Sequence, residues 1–239
     1  MNIDKKIQLS VVIPVFNEVN TIEKVIGRVR DTPHSKELII VDACSTDGTR
    51  ELLGKIKTPG IRIYYHDKNQ GKGAELRTGF KKVQGDIVII QDADMEYDPN
   101  DYTKLLEPIM DGKAEVAYGS RFLTDKYFPH CKKFFYLTHF LENKFLNMFL
   151  NILYNSKLTD METCYKVMKK EALDSIELTE SRFEIEPAIT ANLLLKGYNI
   201  YEVPISYSPR DYQEGKKITW RDAIIAIYVL FKYRFKKGN

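Results

Sequence analysis

Short apolar runs bounded by turn signals recur through the first half of this 239-residue chain: "LSVVIPV" (9–15), "ELIIVDA" (37–43), "IRIYYH" (61–66), "DIVIIQDA" (86–93) and "EVAYGS" (115–120). Their length and β-branched content predict buried strands. Helical patterns lie between them. "NTIEKVIGRVRD" places Ile22, Val25, Ile26 and Val29 on one face, and "TDGTRELLGKIK" and "GKGAELRTGFKKVQ" behave similarly. Alternation of this kind predicts an α/β fold, a mainly parallel sheet covered by helices. Ligands of such sheets bind beyond the carboxyl ends of the strands. The polar clusters "PVFNE", "VDACSTDGT" and "QDADME" all fall at such ends and are expected to meet at one site.

The second half changes character. "KKFFYLTHFLENKFLNMFLNILYN" (132–155) is a long aromatic-rich helical stretch, and a helix apolar over most of its circumference is buried or touches lipid. After "LTDMETCYKVMKKEAL" come a helix at "EPAITANLLLKG", a strand at "NIYEVPISY" and a tail. No repeat, low-complexity segment or linker interrupts the chain, so a single domain over 1–239 is expected, with parts 1–123, 124–210 and an amphipathic C-terminal tail at 211–239. The longest apolar run, "AIIAIYVLF" (223–231), is about half the ~20 residues that a spanning helix needs. Trp220, Arg221, Lys232, Tyr233, Arg234, Lys236 and Lys237 flank it. That pattern suits an element lying in a bilayer interface; a helix packed on the domain with a charged outer face fits it equally.

Net charge is +3, too small to argue for nucleic acid. From Arg121 onward there are 19 Lys and Arg against 14 Asp and Glu; before it, 17 against 19. The basic half suits an anionic surface or a phosphate ligand. Three cysteines (Cys44, Cys131, Cys164) without metal-like spacing suit a reducing compartment. The polar start "MNIDKKIQLS" lacks the apolar core of a signal peptide, so a cytoplasmic location is expected.

Two nucleotide-binding fingerprints are missing. "PVFNE" follows the first strand in place of G-x-G-x-x-G, and "QGKGAEL" has glycines without the spacing of a P-loop. What the chain does have is "IVIIQDADMEYDP" (87–99), in which an apolar run meets Asp92, Asp94, Glu96 and Asp98. Carboxylates this crowded raise one another's pKa unless a positive charge sits among them. They are either solvated turn residues or the holders of a cation. In an extended segment residues two apart point the same way, so Asp92, Asp94 and Glu96 would face one side and suit Mg²⁺ or Mn²⁺. Asp98, followed by Pro99, reads instead as a helix N-cap with proline at the first helical position.

"SVVIPVFNE", "IIVDACSTDGT", "NQGKGAELRTGF", "GDIVIIQDADMEYDP" and "YGSRF" stand in the order and spacing of the inverting family 2 glycosyltransferases. Within these the chain most resembles the polyprenyl-phosphate hexosyltransferases of the dolichyl-phosphate mannose synthase type. The resemblance is strong from residue 10 to about 123 and looser through "TDMETCYKV" and "SPRDYQEGKKI". It implies a GT-A fold, with 1–123 as the nucleotide-sugar half and 124–210 as the acceptor half. It also implies that Pro14, Phe16, Asn17 and Glu18 line the nucleoside pocket, Asp42 reads the base edge, and Lys72 and Gly73 lie near ribose and diphosphate. Asp92 would border the donor and, with Asp94 and Glu96, hold the metal; Arg121 would face phosphates at the reaction centre. Ala43 and Cys44 depart from the usual "VDDGSTDGT" pattern and remove one carboxylate from the base pocket. Each residue also has a plainer role open to it: Pro14 ending a strand, Asn17 or Asn20 capping a helix, Asp42 and Asp47 serving a turn, Arg121 lying at the surface.

The nucleophile separates two enzyme readings. A sugar hydroxyl needs a carboxylate base, which Asp160 or Glu162 of "TDMETCYK" would supply. A lipid phosphate, with a second pKa near ~6, is already largely anionic and needs only cations to place it. Lys166 matches the basic residue ending that motif in the phosphate-accepting relatives, where Arg is usual. Arg210, Lys216 and Lys217 resemble their R-x-x-G-x-S-K element, with altered glycine spacing and Lys in place of Ser. His139 and Asn143, one helical turn apart, would help to hold a phosphate, or His139 is an ordinary core histidine. The expectation is a metal-assisted transfer of a hexose from a nucleotide sugar (GDP-mannose or UDP-glucose type) to a polyprenyl phosphate at the membrane surface, with Asp94, Arg121 and Lys166 at the reaction centre. A membrane-protein partner or a homo-oligomer is compatible with it. The alternatives are glycosylation of a saccharide hydroxyl with Asp160 as base, and a non-catalytic nucleotide-sugar-binding subunit.

Overall fold

The structure, a computed structural model, describes residues 8–124, 134–210 and 220–236, with side chains at 8–124, 140–210 and 223–236. Seven strands form one sheet: β1 (Leu9–Val15), β2 (Lys36–Asp42), β3 (Ile61–Tyr65), β4 (Ile87–Ile90), β5 (Val116–Ser120), β6 (Lys166–Lys169) and β7 (Ile200–Pro204), in the order β3-β2-β1-β4-β6-β5-β7. β1 pairs parallel with β2 and β4, β2 with β3, and β5 with β7, while β6 runs antiparallel between β4 and β5. Every residue of β1 is buried, as its near-continuous apolar run requires of a parallel strand covered on both faces. The helices are α1 (Ile22–Asp31), α2 (Thr49–Lys55), α3 (Lys72–Phe80), α4 (Tyr102–Met110), α5 (Phe134–Tyr154), α6 (Lys170–Asp174), α7 (Ile185–Leu195) and α8 (Trp220–Phe235). α1 buries Ile22, Val25, Ile26 and Val29, the face read from its sequence.

Two departures matter for the site. β6 was not foreseen, because "KVMK" is too short and too charged to read as a strand; its antiparallel insertion carries the "TDMETCYK" loop to the end of β4. β4 itself stops at Ile90, and residues 91–96 turn rather than extend, with Met95 at φ +66°. The ends of β1 and β4 face the point where the chain's connections diverge to either side of β1, the usual place for a ligand crevice.

A second apolar cluster joins α5, α7 and α8 through Leu146, Leu150, Ala188, Ala191, Val229 and Leu230. Both α5 and α8 also turn a stripe outward: Leu141, Phe145, Met148 and Ile152 on one, Ile224, Tyr228, Phe231 and Phe235 on the other, all exposed. Each stripe has the i, i+4, i+7, i+11 spacing of one helix face. The tail helix is therefore both docked on the domain and apolar on its outer side. Among the described residues no helix is long and apolar enough to cross a membrane.

Close packing of α3 on β1 gives a stability test. A Cβ at Gly79 would lie 2.4 Å from Val12 Cγ1, in the buried core. Gly79→Ala is expected to cost about 1–3 kcal/mol by overpacking, read from urea denaturation. Gly27→Ala, where nothing lies within 4 Å, is expected to be neutral or to stabilise α1 by about 0.5–1 kcal/mol.

Candidate active site

The acidic turn after β4 is the centre of the site. Asp94 Oδ1 accepts from Glu96 N at 3.1 Å, closing the turn. Burial first, then Asp92 and Glu96, push the Asp94 carboxyl up to about 7, against the pull of Arg210. Glu96 looks elsewhere: its Oε2 accepts from Tyr207 Oη at 2.9 Å and its Oε1 from Arg210 N at 2.8 Å. Among the described residues no group of three His, Cys, Asp or Glu is placed to hold a metal ion. Glu96 faces Tyr207 and Arg210 rather than sharing one side with Asp92 and Asp94, since the alternation of a strand does not survive the turn at Met95. Asp92 and Asp94 nonetheless fit a hard divalent ion. They are neighbouring oxygen donors, close enough for Asp92 to raise the Asp94 carboxyl, and Mg²⁺ or Mn²⁺ is commonly held by one or two carboxylates plus substrate phosphates.

Cations reach this turn from distant parts of the chain. Lys72, at the start of α3, lies 2.8 Å from Asp92 Oδ1 and 2.8 Å from Glu186 Oε1. Burial disfavours its charge, but Asp92 and Glu186 outweigh that and hold the ammonium well above the ordinary lysine value. Arg210 spans from Glu18, at 3.0 Å to both carboxylate oxygens, to Asp94 Oδ2 at 3.2 Å. The start of α3 can approach this closely because Gly71 and Gly73 lack a Cβ, which would fall 2.7 Å from Ser181 O and 2.6 Å from Glu180 O respectively.

Two residues expected to meet the acceptor phosphate are otherwise engaged. Lys166 is fully buried; its Nζ donates to the carbonyls of Met161 and Thr163 and to Glu186 Oε2 at 2.5 Å. It has no free face for a phosphate, and the correction follows from its place inside β6. Arg121 makes a buried bidentate pair with Asp160, Nε to Oδ2 and Nη2 to Oδ1 at 2.7 Å each, and its backbone N donates to Oδ2 at 2.9 Å. Burial opposes the charge, and Asp160 overcomes it. Asp160 is 0% exposed with both oxygens taken, which removes it as a free base. Asn143 is half-buried on α5; the side chain of His139, and all of Lys216 and Lys217, lie outside the described residues.

On the nucleoside side, Asn17 (φ +55°) and Glu18 bind the loop after β2. Asn17 N donates to Ser45 Oγ, Thr46 N donates to Asn17 Oδ1, and Glu18 N donates to Thr49 Oγ1. Asp42 is 0% exposed, accepts from Ser45 N and lies 3.7 Å from Arg50, so its own carboxylate does not stand open to a base. Pro14 is buried within β1, opposite Val41, and Phe16 is half-buried just past that strand. Asp98 does cap the turn at Pro99, accepting from Asn100 N at 3.0 Å.

Several site residues were not read from the sequence. Glu186 is one; a lone carboxylate in the apolar "IEPAITANLLL" helix was the available signal, because a buried charge needs a partner. Gln91 Oε1 accepts from both Tyr102 and Tyr165 hydroxyls at 2.8 Å, and Tyr97 Oη accepts from Cys164 N, fixing the floor. Glu162, by contrast, was read from the sequence as a candidate base, and it keeps a buried Oε1 with no hydrogen-bond partner among the described residues. Burial, aided by Glu186 and Asp160 and offset by Lys166 and Arg121, lifts its carboxyl to about 7 from an ordinary 4.5.

The native state thus keeps the Glu162 proton to about pH 7, while the unfolded chain releases it near 4.5. Stability falls as pH rises through that window, and the cost is complete above it. Glu162→Gln is therefore expected to raise the melting temperature at about pH 8 and to lose that advantage towards pH 4.5. Thermal unfolding across pH checks the sign.

Residues 10–177 match the family model described as glycosyl transferase family 2. A low-salt glycan biosynthesis hexosyltransferase of Haloferax volcanii is 29% identical over 207 residues, 85% of this chain and 48% of that protein. A dolichol-phosphate mannosyltransferase of Pyrococcus furiosus is 25% identical over 214 residues, 87% of this chain and 59% of that one. The chain thus spans about half the length of these curated relatives. The fold is similar to that of glucosyl-3-phosphoglycerate synthase from Mycobacterium tuberculosis, solved with Mn²⁺, UDP and phosphoglyceric acid, with a TM-score of 0.70 at 20% identity over 95% of this chain and 78% of that one. With the sheet order and the acidic turn after β4, the match identifies the GT-A fold, and the chain belongs to glycosyl transferase family 2.

Proposed function

We propose that this chain transfers a hexose from a nucleotide sugar, of the GDP-mannose or UDP-glucose type, to a polyprenyl phosphate at a membrane surface, with inversion at the anomeric carbon. The observation that carries the donor half is the acidic turn after β4, where Asp94 sits near 7 beside Asp92, with Lys72 and Arg210 as its cations. Asp92 and Asp94 would hold a divalent ion, which when bound supplies Lewis-acid stabilisation to the departing diphosphate. Lys72 and Arg210 stand beside those carboxylates and meet the same phosphates. Arg121 spends Nε and Nη2 on Asp160, so its part is to hold the loop that carries Asp160 against the end of β5.

Against a saccharide hydroxyl with Asp160 as base stands the closure of that carboxylate by Arg121, which leaves Glu162 as the carboxylate that reading would have to use. The name of the Pyrococcus relative supports a phosphate acceptor. The non-catalytic alternative leaves the concentration of paired charges around Asp92 and Asp94 without a purpose. A panel of nucleotide sugars and short polyprenyl phosphates, assayed for glycolipid product, tests the reaction; failure with every lipid phosphate but success with a saccharide overturns the acceptor.

The metal role has its own test. A carboxyl near 7 is half protonated at neutral pH, so Asp94→Asn is expected to keep the fold and its melting temperature while abolishing Mn²⁺-dependent nucleotide affinity and activity. Unchanged Mn²⁺-dependent affinity by calorimetry sinks the assignment.

Peripheral membrane association rests on the paired stripes of α5 and α8, bordered by exposed Lys144, Arg234 and Lys236. Deleting the tail would remove Val229 and Leu230 and uncover Leu146, Leu150, Ala188 and Ala191 of the same cluster, so point changes are the cleaner probe. Phe145→Ser and Phe235→Ser together are expected to weaken sedimentation with anionic vesicles without unfolding the protein. The remaining binding should fall with salt, as the Debye length shrinks from ~10 Å at 0.1 M to ~3 Å at 1 M. Undiminished sedimentation would place the contact elsewhere.

A further inference from the structure

Lys72 is held from two sides. Asp92 and Glu186 each lie 2.8 Å from its Nζ, and the second oxygen of Glu186 is 2.5 Å from Lys166 Nζ. Four elements therefore meet in one line of alternating charge: the turn after β4, the start of α3, the first turn of α7 and the buried lysine of β6. The backbone holds the line in register. Ala74 N donates to Ser181 O at 3.0 Å, and Gly73 packs directly against Glu180 O, so α3 begins on the segment that leads into α7. Lys166 has no route to solvent; its charge is useful only for what it fixes, and it fixes Glu186.

Two lysines against two carboxylates make the line neutral, and the order of the charges matters. Without Glu186 the Lys72 ammonium would have Asp92 as its one carboxylate, and would neutralise a group that has to meet a cation. With Glu186 sharing the ammonium, Asp92 keeps part of its charge for other partners, and Lys72 has an anchor that does not depend on Asp92. We propose that Glu186 is a positioning residue of the donor site: it shares the Lys72 ammonium with Asp92, so that this carboxylate keeps charge for a divalent cation and Lys72 stays anchored where the diphosphate would lie. The inference rests on the donor-site reading above and deepens it.

Glu186→Gln alone removes the direct ion-pair partner of buried Lys166 and is expected to destabilise the fold. The working variant is Lys166→Met with Glu186→Gln, which removes both buried charges and leaves Lys72 and Asp92 as a pair. Mn²⁺ alone, followed by the loss of its free-ion electron paramagnetic resonance signal, is the first probe; GDP and UDP with Mn²⁺ are the second. Changing the partners behind a metal ligand typically costs 10–100-fold in affinity, so the Mn²⁺ concentration for half-saturation is expected to rise by about 10- to 100-fold. Adding Lys72→Met to the same background removes the competitor and should restore Mn²⁺ binding while nucleotide affinity stays low. Glu186→Asp, which keeps every charge and shortens the arm, serves as the second variant and should show the same loss in smaller measure. Wild-type Mn²⁺ affinity in both the double variant and Glu186→Asp overturns the proposal, and so does a loss that Lys72→Met leaves unrelieved, because a merely structural pair would behave that way. If the unaltered protein binds no Mn²⁺ with either nucleotide, the donor-site reading itself has failed, before any variant is compared.

Discussion

More negative charge converges after β4 than that turn can carry alone. Asp92, Asp94 and Glu96 fall within five residues, and Asp94 is left near 7 even with Arg210 beside it. Every cation that relieves them arrives from far along the chain: Lys72 from α3, Arg210 from beyond β7, and Lys166 of β6 through Glu186. The topology makes this possible. β1 and β4 are neighbours at the divergence of the connections, and β6 slots antiparallel beside β4, so loops remote in sequence share one rim.

The same logic of buried charge explains the acceptor side. Arg121 and Asp160 satisfy one another with two side-chain bonds and a third from the backbone, so neither is left uncompensated out of water. The guanidinium also lies 5.1 Å from the Tyr207 ring centroid, and Tyr207 donates to Glu96. With both oxygens engaged, Asp160 has none left to face an incoming hydroxyl, which is why the pairing bears on the chemistry. Glu162, two residues on, has a buried oxygen with no hydrogen-bond partner among the described residues.

The legible parts of this chain were those where one physical rule acts alone. β1 and α1 follow from continuous and 3.6-period burial, and Asp98 with Pro99 follows from capping. β6 was not legible because its burial depends on Lys166 finding Glu186, a contact 20 residues away that no local period encodes. The acidic motif was legible as a place but not as a geometry. Alternation assumes an extended backbone, and Met95 at φ +66° breaks it. Asn17 and Cys44, at +55° and +62°, are likewise left-handed non-glycines beside the site, where local propensity yields to what the loops must hold. Resemblance found the residue positions at the cleft. It did not find that Asp42 is sealed beneath Ser45 or that Lys166 faces inward.

The outer helix and the inner site are also mechanically joined. On one side α8 shows Tyr228, Phe231 and Phe235 to solvent; on the other, Lys232 Nζ and Tyr233 Oη reach Glu180 at 2.9 and 2.8 Å. The backbone of Glu180 and Ser181 is what Gly73 and Gly71 press against, and between those glycines stands Lys72. Tertiary contacts this tight have no slack, since packed interiors deform in discrete steps rather than continuously. The outer face of α8 and the ammonium that shares Asp92 therefore belong to one packed unit, joined through Glu180 and Ser181.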